Sequence, residues 1–167
     1  MTFWQVSLLV AVALSAAQAC HEHPECSPRQ DHPECLPLWS RYGANCYRFF
    51  GQTKTWQAAE EHCRQFFTKS GPAHLASIHS SDEYHLIQNM WKTSVSNPVF
   101  LWLGATDERV EGKFVWTDGT EFNYHDWRPN QPDNSGQEDC VHAIRDGWND
   151  ISCGRAYPYI CQMPASQ

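Results

Sequence analysis

Apolar residues change their spacing several times along the chain, and each change marks an element. In "TWQAAEEHCRQFF" (Thr55 to Phe67), Trp56, Ala59, Cys63 and Phe66 or Phe67 recur at helical spacing, so one face of a helix is apolar. "SSDEYHLIQNMW" (Ser80 to Trp91) opens with Ser80 three residues before Glu83, the pattern of a capping box. Tyr84, Ile87 and Trp91 then share a face. "FLWLGA" (Phe100 to Ala105) and "KFVWTDG" (Lys113 to Gly119) are short runs closed by turn residues, which predicts strands. "CVHAI" (Cys140 to Ile144) and "YPYICQM" (Tyr157 to Met163) predict two more. Between Asp118 and Cys140 the periodicity fades, and Gly, Pro, Asn and Asp replace it. So long a loop in a compact domain calls for a function or a ligand that orders it. Two helices followed by short strands predict an α+β domain.

The amino-terminal segment has a different pattern. Residues 1–19 carry no ionisable side chain, and Val6 to Ala17 is an apolar run of twelve, too short to span a bilayer. Ala17-Gln18-Ala19 fits a small-x-small cleavage site, which predicts a signal peptide and a secreted, extracellular product with no membrane insertion. Residues 20–34, "CHEHPECSPRQDHPE", are polar and repeat His-Pro-Glu-Cys into Cys35, so they read as an extension outside the core. Residues 35–167 hold seven of the eight tryptophans and form the expected domain. All eight cysteines follow the predicted cut, an even number that suits a disulfide framework but leaves the pairing open. Cysteine and histidine in the extension could bind zinc, yet oxidising export chemistry ties the thiols up in disulfides.

A net charge of −7 on 167 residues argues against nucleic acid as a partner. The acidic residues are gathered in one place. "QPDNSGQEDC" (Gln131 to Cys140) and "WND" (Trp148 to Asp150) offer Gln131, Asp133, Glu138, Asn149 and Asp150 as oxygen ligands. Calcium takes six to eight such oxygens, and a divalent ion relieves carboxylates that would otherwise raise one another's pKa. Composition alone is equally compatible with a solvated polar turn. No Ser-His-Asp or Cys-His arrangement and no phosphate-cradling glycine loop is recognisable, and His62 and His85 sit within helix patterns, so the chain does not read as an enzyme.

"CLPLWSRYGANCYRF", "TWQAAEEHC", "HLASIHS", "LWLGATD", "EGKFVWTDG", "QPDNSGQEDC", "GWNDISC" and "YICQM" occur in the order of the landmarks of the C-type lectin-like domain in its long form. Cys35 to Met163 resembles that family, and most of all its small exported galactose-type members from invertebrates, the echinoidin-like group. The resemblance implies two helices, short antiparallel sheets and a long calcium-binding loop. It also implies disulfides Cys35–Cys46, Cys63–Cys161 and Cys140–Cys153, the second closing a loop for which chain entropy contributes roughly 4.7 kcal/mol. Cys20 and Cys26 are left to pair with each other or, as the favoured expectation, to link protomers into a disulfide-bonded homo-oligomer.

The same resemblance assigns Gln131, Asp133, Glu138, Asn149 and Asp150 to a calcium ion whose shell is completed by two sugar hydroxyls, with a cis bond between Gln131 and Pro132. Gln-Pro-Asp is that family's sequence for galactose or N-acetylgalactosamine, and Glu-Pro-Asn its sequence for mannose. One departure is Ser135, which stands where galactose binders often place an aromatic ring; His125, Trp127 or His142 are the candidate substitutes. Without a ring the alternative is weak or mannose-type binding. Asp107, Glu111, Asn134, Glu138 and Asp139 match the family's ligands for a second calcium. The expected partners are galactose-type glycans on cells or microbes, in innate defence. The rival reading is a non-lectin use of the fold, in extracellular matrix, biomineral or ice binding.

Overall fold

The structure, a computed structural model, describes residues 35–96 and 99–166. The predicted signal peptide and extension, with Cys20 and Cys26, lie outside the described residues. Among the described residues, ten strands and two helices follow the order β1 (Ser40–Tyr42), β2 (Asn45–Lys54), α1 (Trp56–Cys63), β3 (Phe67–Thr68), β4 (Gly71–Pro72), β5 (His74–Leu75), α2 (Ser81–Ser94), β6 (Leu101–Thr106), β7 (Val115–Trp116), β8 (Cys140–Ile144), β9 (Gly147–Ile151) and β10 (Tyr157–Pro164). The main sheet runs β1-β2-β10-β6-β8-β9, with β5 beside β10 and β7 beside β6. All of these pairings are antiparallel except β10 with β6, which meet in parallel at Tyr159 and Trp102. β2 and β10 thereby clamp the first and last parts of the domain together, from Asn45 opposite Pro164 to Lys54 opposite Tyr157.

Both predicted helices form, with instructive ends. Thr55 caps α1 by accepting from the Ala58 N–H, and the buried residues are Trp56, Ala59, Glu60 and Cys63. The helix stops at Cys63, so Phe66 packs on Trp39 while Phe67 enters a strand and is 70% exposed. In α2 the Ser80 hydroxyl accepts from the Glu83 N–H at 3.2 Å, the first half of the capping box. The second half is redirected. Glu83 accepts from the His79 N–H at 2.7 Å and from the Tyr47 hydroxyl, which ties the helix start to β2.

Two buried clusters fill the interior. One is centred on Trp102, Tyr159 and the Cys63–Cys161 bridge. The other gathers Tyr84, Ile87, Trp91, Leu103, Trp116 and Trp148. Gly104 is required where they meet, because a Cβ there would lie 2.4 Å from the Leu75 carbonyl oxygen. Disulfides Cys35–Cys46 and Cys140–Cys153 complete the set, the latter joining β8 to the segment after β9. The strand predicted over 113–119 is reduced to Val115–Trp116 beside β6, whereas β9, unpredicted as a strand, runs through the Trp-Asn-Asp sequence.

Candidate functional site

β9 and the long loop build the candidate site together. Gly147 has φ 127°, and a Cβ there would come within 2.7 Å of the Asp126 carbonyl oxygen. Glycine therefore lets the loop run against β9. Trp148 donates its N–H to Asp126 O at 2.7 Å and accepts from the Arg128 N–H at 3.0 Å. The loop then turns, with the Gln131 N–H on Arg128 O at 3.1 Å and a cis Gln131–Pro132 peptide. Asn130, Asn134 and Gln137 have positive φ, as does Gly136, so the backbone folds back on itself before Glu138.

Asp150 is the anchor. Only 1% exposed, its carboxylate accepts the Asp133 N–H at 3.2 Å and the Asn134 N–H at 2.8 Å. The Ser135 N–H is shared between Asp133 Oδ1 at 3.2 Å and Glu138 Oε2 at 3.1 Å, and Glu138 N–H donates to Asn134 Oδ1 at 3.0 Å. Asp133, Glu138 and Asp150 each bring an oxygen within 4.8 Å of the others, the one such carboxylate trio among the described residues. Desolvation holds the Glu138 carboxyl above the ordinary carboxylate range; the Ser135 N–H opposes this, and the charges of Asp150 and Asp133 add to it.

Gln131 and Asn149 complete the predicted set with amide oxygens. Gln131 Oε1 is buried without a hydrogen-bond partner, and Asn149 donates its amide to the Asp150 carbonyl at 2.5 Å, which leaves its oxygen free of that bond. Crowded carboxylates, and a buried, unpartnered carbonyl oxygen on Gln131 two residues before Asp133, are donors that suit a hard cation such as calcium, which offsets the repulsion.

The second predicted set shares Glu138 with the first. Asp107, 2% exposed, accepts the Gly112 N–H at 2.7 Å on one oxygen, and its other oxygen is buried without a partner. Asp107 also donates its N–H to Asp139 O at 3.2 Å. Desolvation and then the charge of Asp107 push the exposed Glu111 carboxyl up, with Asp139 adding to it. These carboxylates are neighbours but do not close to the spacing of the first trio.

The ring candidates separate clearly. His142 is 3% exposed and stacks on Phe100 and Tyr157 at 5.3 and 5.4 Å, so burial removes it as a sugar platform. Burial also depresses its pKa to about 4. Trp127 is wedged against Phe114 and Trp148, leaving His125 as the exposed ring; Ser135 is exposed as well. What the pattern did not signal is the backbone role of residues it named for their side chains. Asn134 and Ser135 donate N–H groups to the carboxylates, a role that side-chain chemistry does not announce.

The fold and this donor set define a class. Residues 52–163 match the Lectin C-type domain, and the chain belongs to that family. The family is non-enzymatic and generally binds calcium, and this chain is not an enzyme. It is 43% identical to the alpha-N-acetylgalactosamine-specific lectin of Patiria pectinifera over 98% of both chains. Echinoidin of Heliocidaris crassispina is 35% identical over 76% of this chain and 95% of its own. Among solved structures, the C-type lectin CEL-I from Cucumaria echinata superposes with a TM-score of 0.74 at 33% identity, covering 77% of this chain and 96% of that one.

Proposed function

We propose that this protein is a secreted, calcium-dependent lectin for galactose-type glycans, N-acetylgalactosamine included. The observation that carries the reading is the carboxylate trio of Asp133, Glu138 and Asp150, with oxygens within 4.8 Å of one another; the buried, unpartnered oxygen of Gln131, two residues before Asp133, is a further donor. Gln131, Asp133, Glu138, Asn149 and Asp150 would hold the ion; when bound, it supplies positive charge that receives two vicinal hydroxyls of a sugar. The amide N–H groups of Gln131 and Asn149 donate to those hydroxyls, and the carboxylates of Asp133 and Glu138 accept from them. That placement of amides and acids is the basis for assigning a galactose-type diol. The name of the Patiria relative, specific for alpha-N-acetylgalactosamine, supports the same choice. Asp107, Glu111, Asn134 and Asp139, with Glu138, are proposed to take a second calcium that stiffens the loop from behind.

A single site of this kind is weak. A hexose has about twelve heavy atoms, and at ~0.3 kcal/mol each the total is ~4 kcal/mol, a millimolar dissociation constant. Linking sites multiplies avidity by about 10² to 10⁴, so Cys20 and Cys26 are assigned to joining protomers and the protein to agglutinating microbes or cells. A glycan array probed with and without EDTA tests this directly. Signal on terminal galactose and N-acetylgalactosamine that vanishes with EDTA and returns with calcium is the expected result. Binding that ignores the chelator, or a preference for mannose, overturns the assignment.

A further inference from the structure

We propose that the face of β2 carrying Arg48 and Lys54, with His62 of α1 beside them and Arg41 at its start, binds a sulfated polysaccharide chain without calcium. The first observation is how charge divides along the domain. Residues 35–75 carry Arg41, Arg48, Lys54, Arg64 and Lys69 against Glu60 and Glu61, a net +3. Residues 76–167 carry six such cations against thirteen carboxylates, a net −7. In the basic part Glu60 is 7% exposed and engaged by His74, the Leu75 N–H and the Thr117 hydroxyl. Glu61 takes the Gln57 amide at 3.2 Å. The acidic site does not cancel this basic part. In the main sheet β2 is four strand steps from β9, roughly 19 Å at ~4.8 Å a step. Screening at about 0.15 M salt acts over about 8 Å.

The second observation is how the cations are held. Arg41 stands opposite Cys46, and strand residues two apart share a face, so Arg41, Arg48 and Phe50 lie on one side of the β1–β2 pair. The Arg48 guanidinium is 4.9 Å from the centroid of Phe50 and 6.0 Å from that of Phe66. His62 meets the same two rings edge-on at 4.8 and 5.3 Å. After burial, the charges of Lys54 and then Arg48 lower the His62 pKa, which places both cations near that ring. Among the described residues neither Arg48 nor Lys54 is in an ion pair. An aromatic face orients a guanidinium while leaving its charge unneutralised.

The partner follows from this arrangement. A guanidinium fork matches two oxygens of a sulfate group as it does those of a phosphate. Arg48 and Lys54 are six residues apart on the strand, roughly 20 Å, too far for one small anion to bridge. The complementary anion is therefore a chain with repeated charges. The rings beneath Arg48 are already packed on one another, Phe50 on Phe66 at 5.6 Å and on Tyr159 at 5.3 Å. They are not offered to a nucleic-acid base or to a bilayer, which favours a polysaccharide. Such binding needs neither the carboxylate trio nor an ion, so it stands apart from the lectin reading.

The test titrates the whole chain with dextran sulfate in EDTA over a series of salt concentrations, with uncharged dextran as the blank. Binding whose log affinity falls linearly with log salt is expected. Arg48→Gln together with Lys54→Gln should lower affinity about tenfold and flatten that slope by about 1 for each cation removed. Lys54→Gln alone guards against misfolding, because it leaves Arg48 on its rings and the residue 54 carbonyl on Trp102 Nε1. It should still flatten the slope by about 1. Lys92→Gln removes the same charge from α2 and should change neither affinity nor slope. No binding in EDTA, equal binding of uncharged dextran, or an equal loss with Lys92→Gln overturns the proposal. So does a preference for phosphatidylserine vesicles or single-stranded DNA over dextran sulfate, which would give this face to a different partner.

Discussion

The long connection between β7 and β8 has two halves that are held in different ways. In the first, Phe122, Tyr124 and Trp127 lean on Trp116 and Trp148, with ring centroids 5.1, 5.8 and 6.0 Å away from their partners. In the second, from Pro129 to Gln137, every residue except Gln131 is exposed, and the backbone N–H groups of Asp133, Asn134 and Ser135 are held by carboxylates. Apolar burial does not depend on ions or protons. Crowded carboxylates do, because their mutual repulsion changes with every proton or cation bound. The first half is therefore part of the scaffold, and the second is the part a metal can set in place.

The largest expected effect breaks the second half alone. Asp150→Ala removes both the acceptor for two loop N–H groups and one of the three convergent carboxylates. Calcium affinity should fall at least ~100-fold, beyond the loss caused by removing a mere outer-shell partner. Isothermal titration reads the affinity, and amide hydrogen exchange reads the loop. Protection should disappear over 131–138 and persist at Trp127 and Trp148. If exchange accelerates equally in both halves, the distinction drawn here is wrong.

Trp127→Ala addresses the first half. The ring is half-buried against Phe114 and Trp148, so the loss should be about 3 kcal/mol, at the low end for truncating a core aromatic. Urea unfolding in EDTA measures it. Calcium at a hundred times its dissociation constant should then restore about 2.7 kcal/mol, provided the carboxylate half still forms. No restoration would mean that the two halves fold as one unit.

That division also explains what the sequence made legible. The helices over 55–67 and 80–91 were readable because apolar spacing records a buried face, and Trp56, Tyr84, Ile87 and Trp91 are indeed buried. Phe67 was ambiguous, since periodicity does not mark the end of α1; the β3–β4 pairing ends the stripe one residue sooner. β9 escaped notice because Asn149 and Asp150 look like loop residues, yet Asp150 is buried opposite Val141. Acidic side chains in the loop advertised a cation. The backbone donors at Asn134 and Ser135 were invisible, because any non-proline residue supplies an N–H and only the fold aims it.

A smaller effect concerns the strand beneath the site. His142 is buried with both ring nitrogens unpartnered, and desolvation, with a lesser contribution from Arg128, lowers its pKa to about 4. Below pH 6.5 the unfolded chain takes up a proton that the folded domain refuses until about pH 4. Stability is therefore full above that window and declines as pH falls through it, by about 2 kcal/mol at pH 5. His142→Phe keeps the stack on Phe100 and Tyr157 and should abolish this decline, seen as a flat thermal midpoint between pH 4.5 and 6.5, taken about that range. A decline as steep as in the unaltered chain would place the acid sensitivity elsewhere, with the carboxylate half the next place to look.

The smallest effect supplies the control for all of these. Ser80→Ala deletes the hydroxyl that caps α2, at a cost of about 1 kcal/mol, in an element that meets Trp148 of the site strand through the buried ring of Tyr84. Tyr84 keeps its place when the cap is lost, because Glu83 still holds the helix start through Tyr47 and the His79 N–H. Unfolding in urea should thus come earlier while calcium affinity stays unchanged, and the loss should add to that of Asp150→Ala within about 0.5 kcal/mol, as independent positions do. Were the cap to alter calcium binding, the packed scaffold and the carboxylate half would be coupled through Trp148, and the ion would be reading the stability of the whole domain.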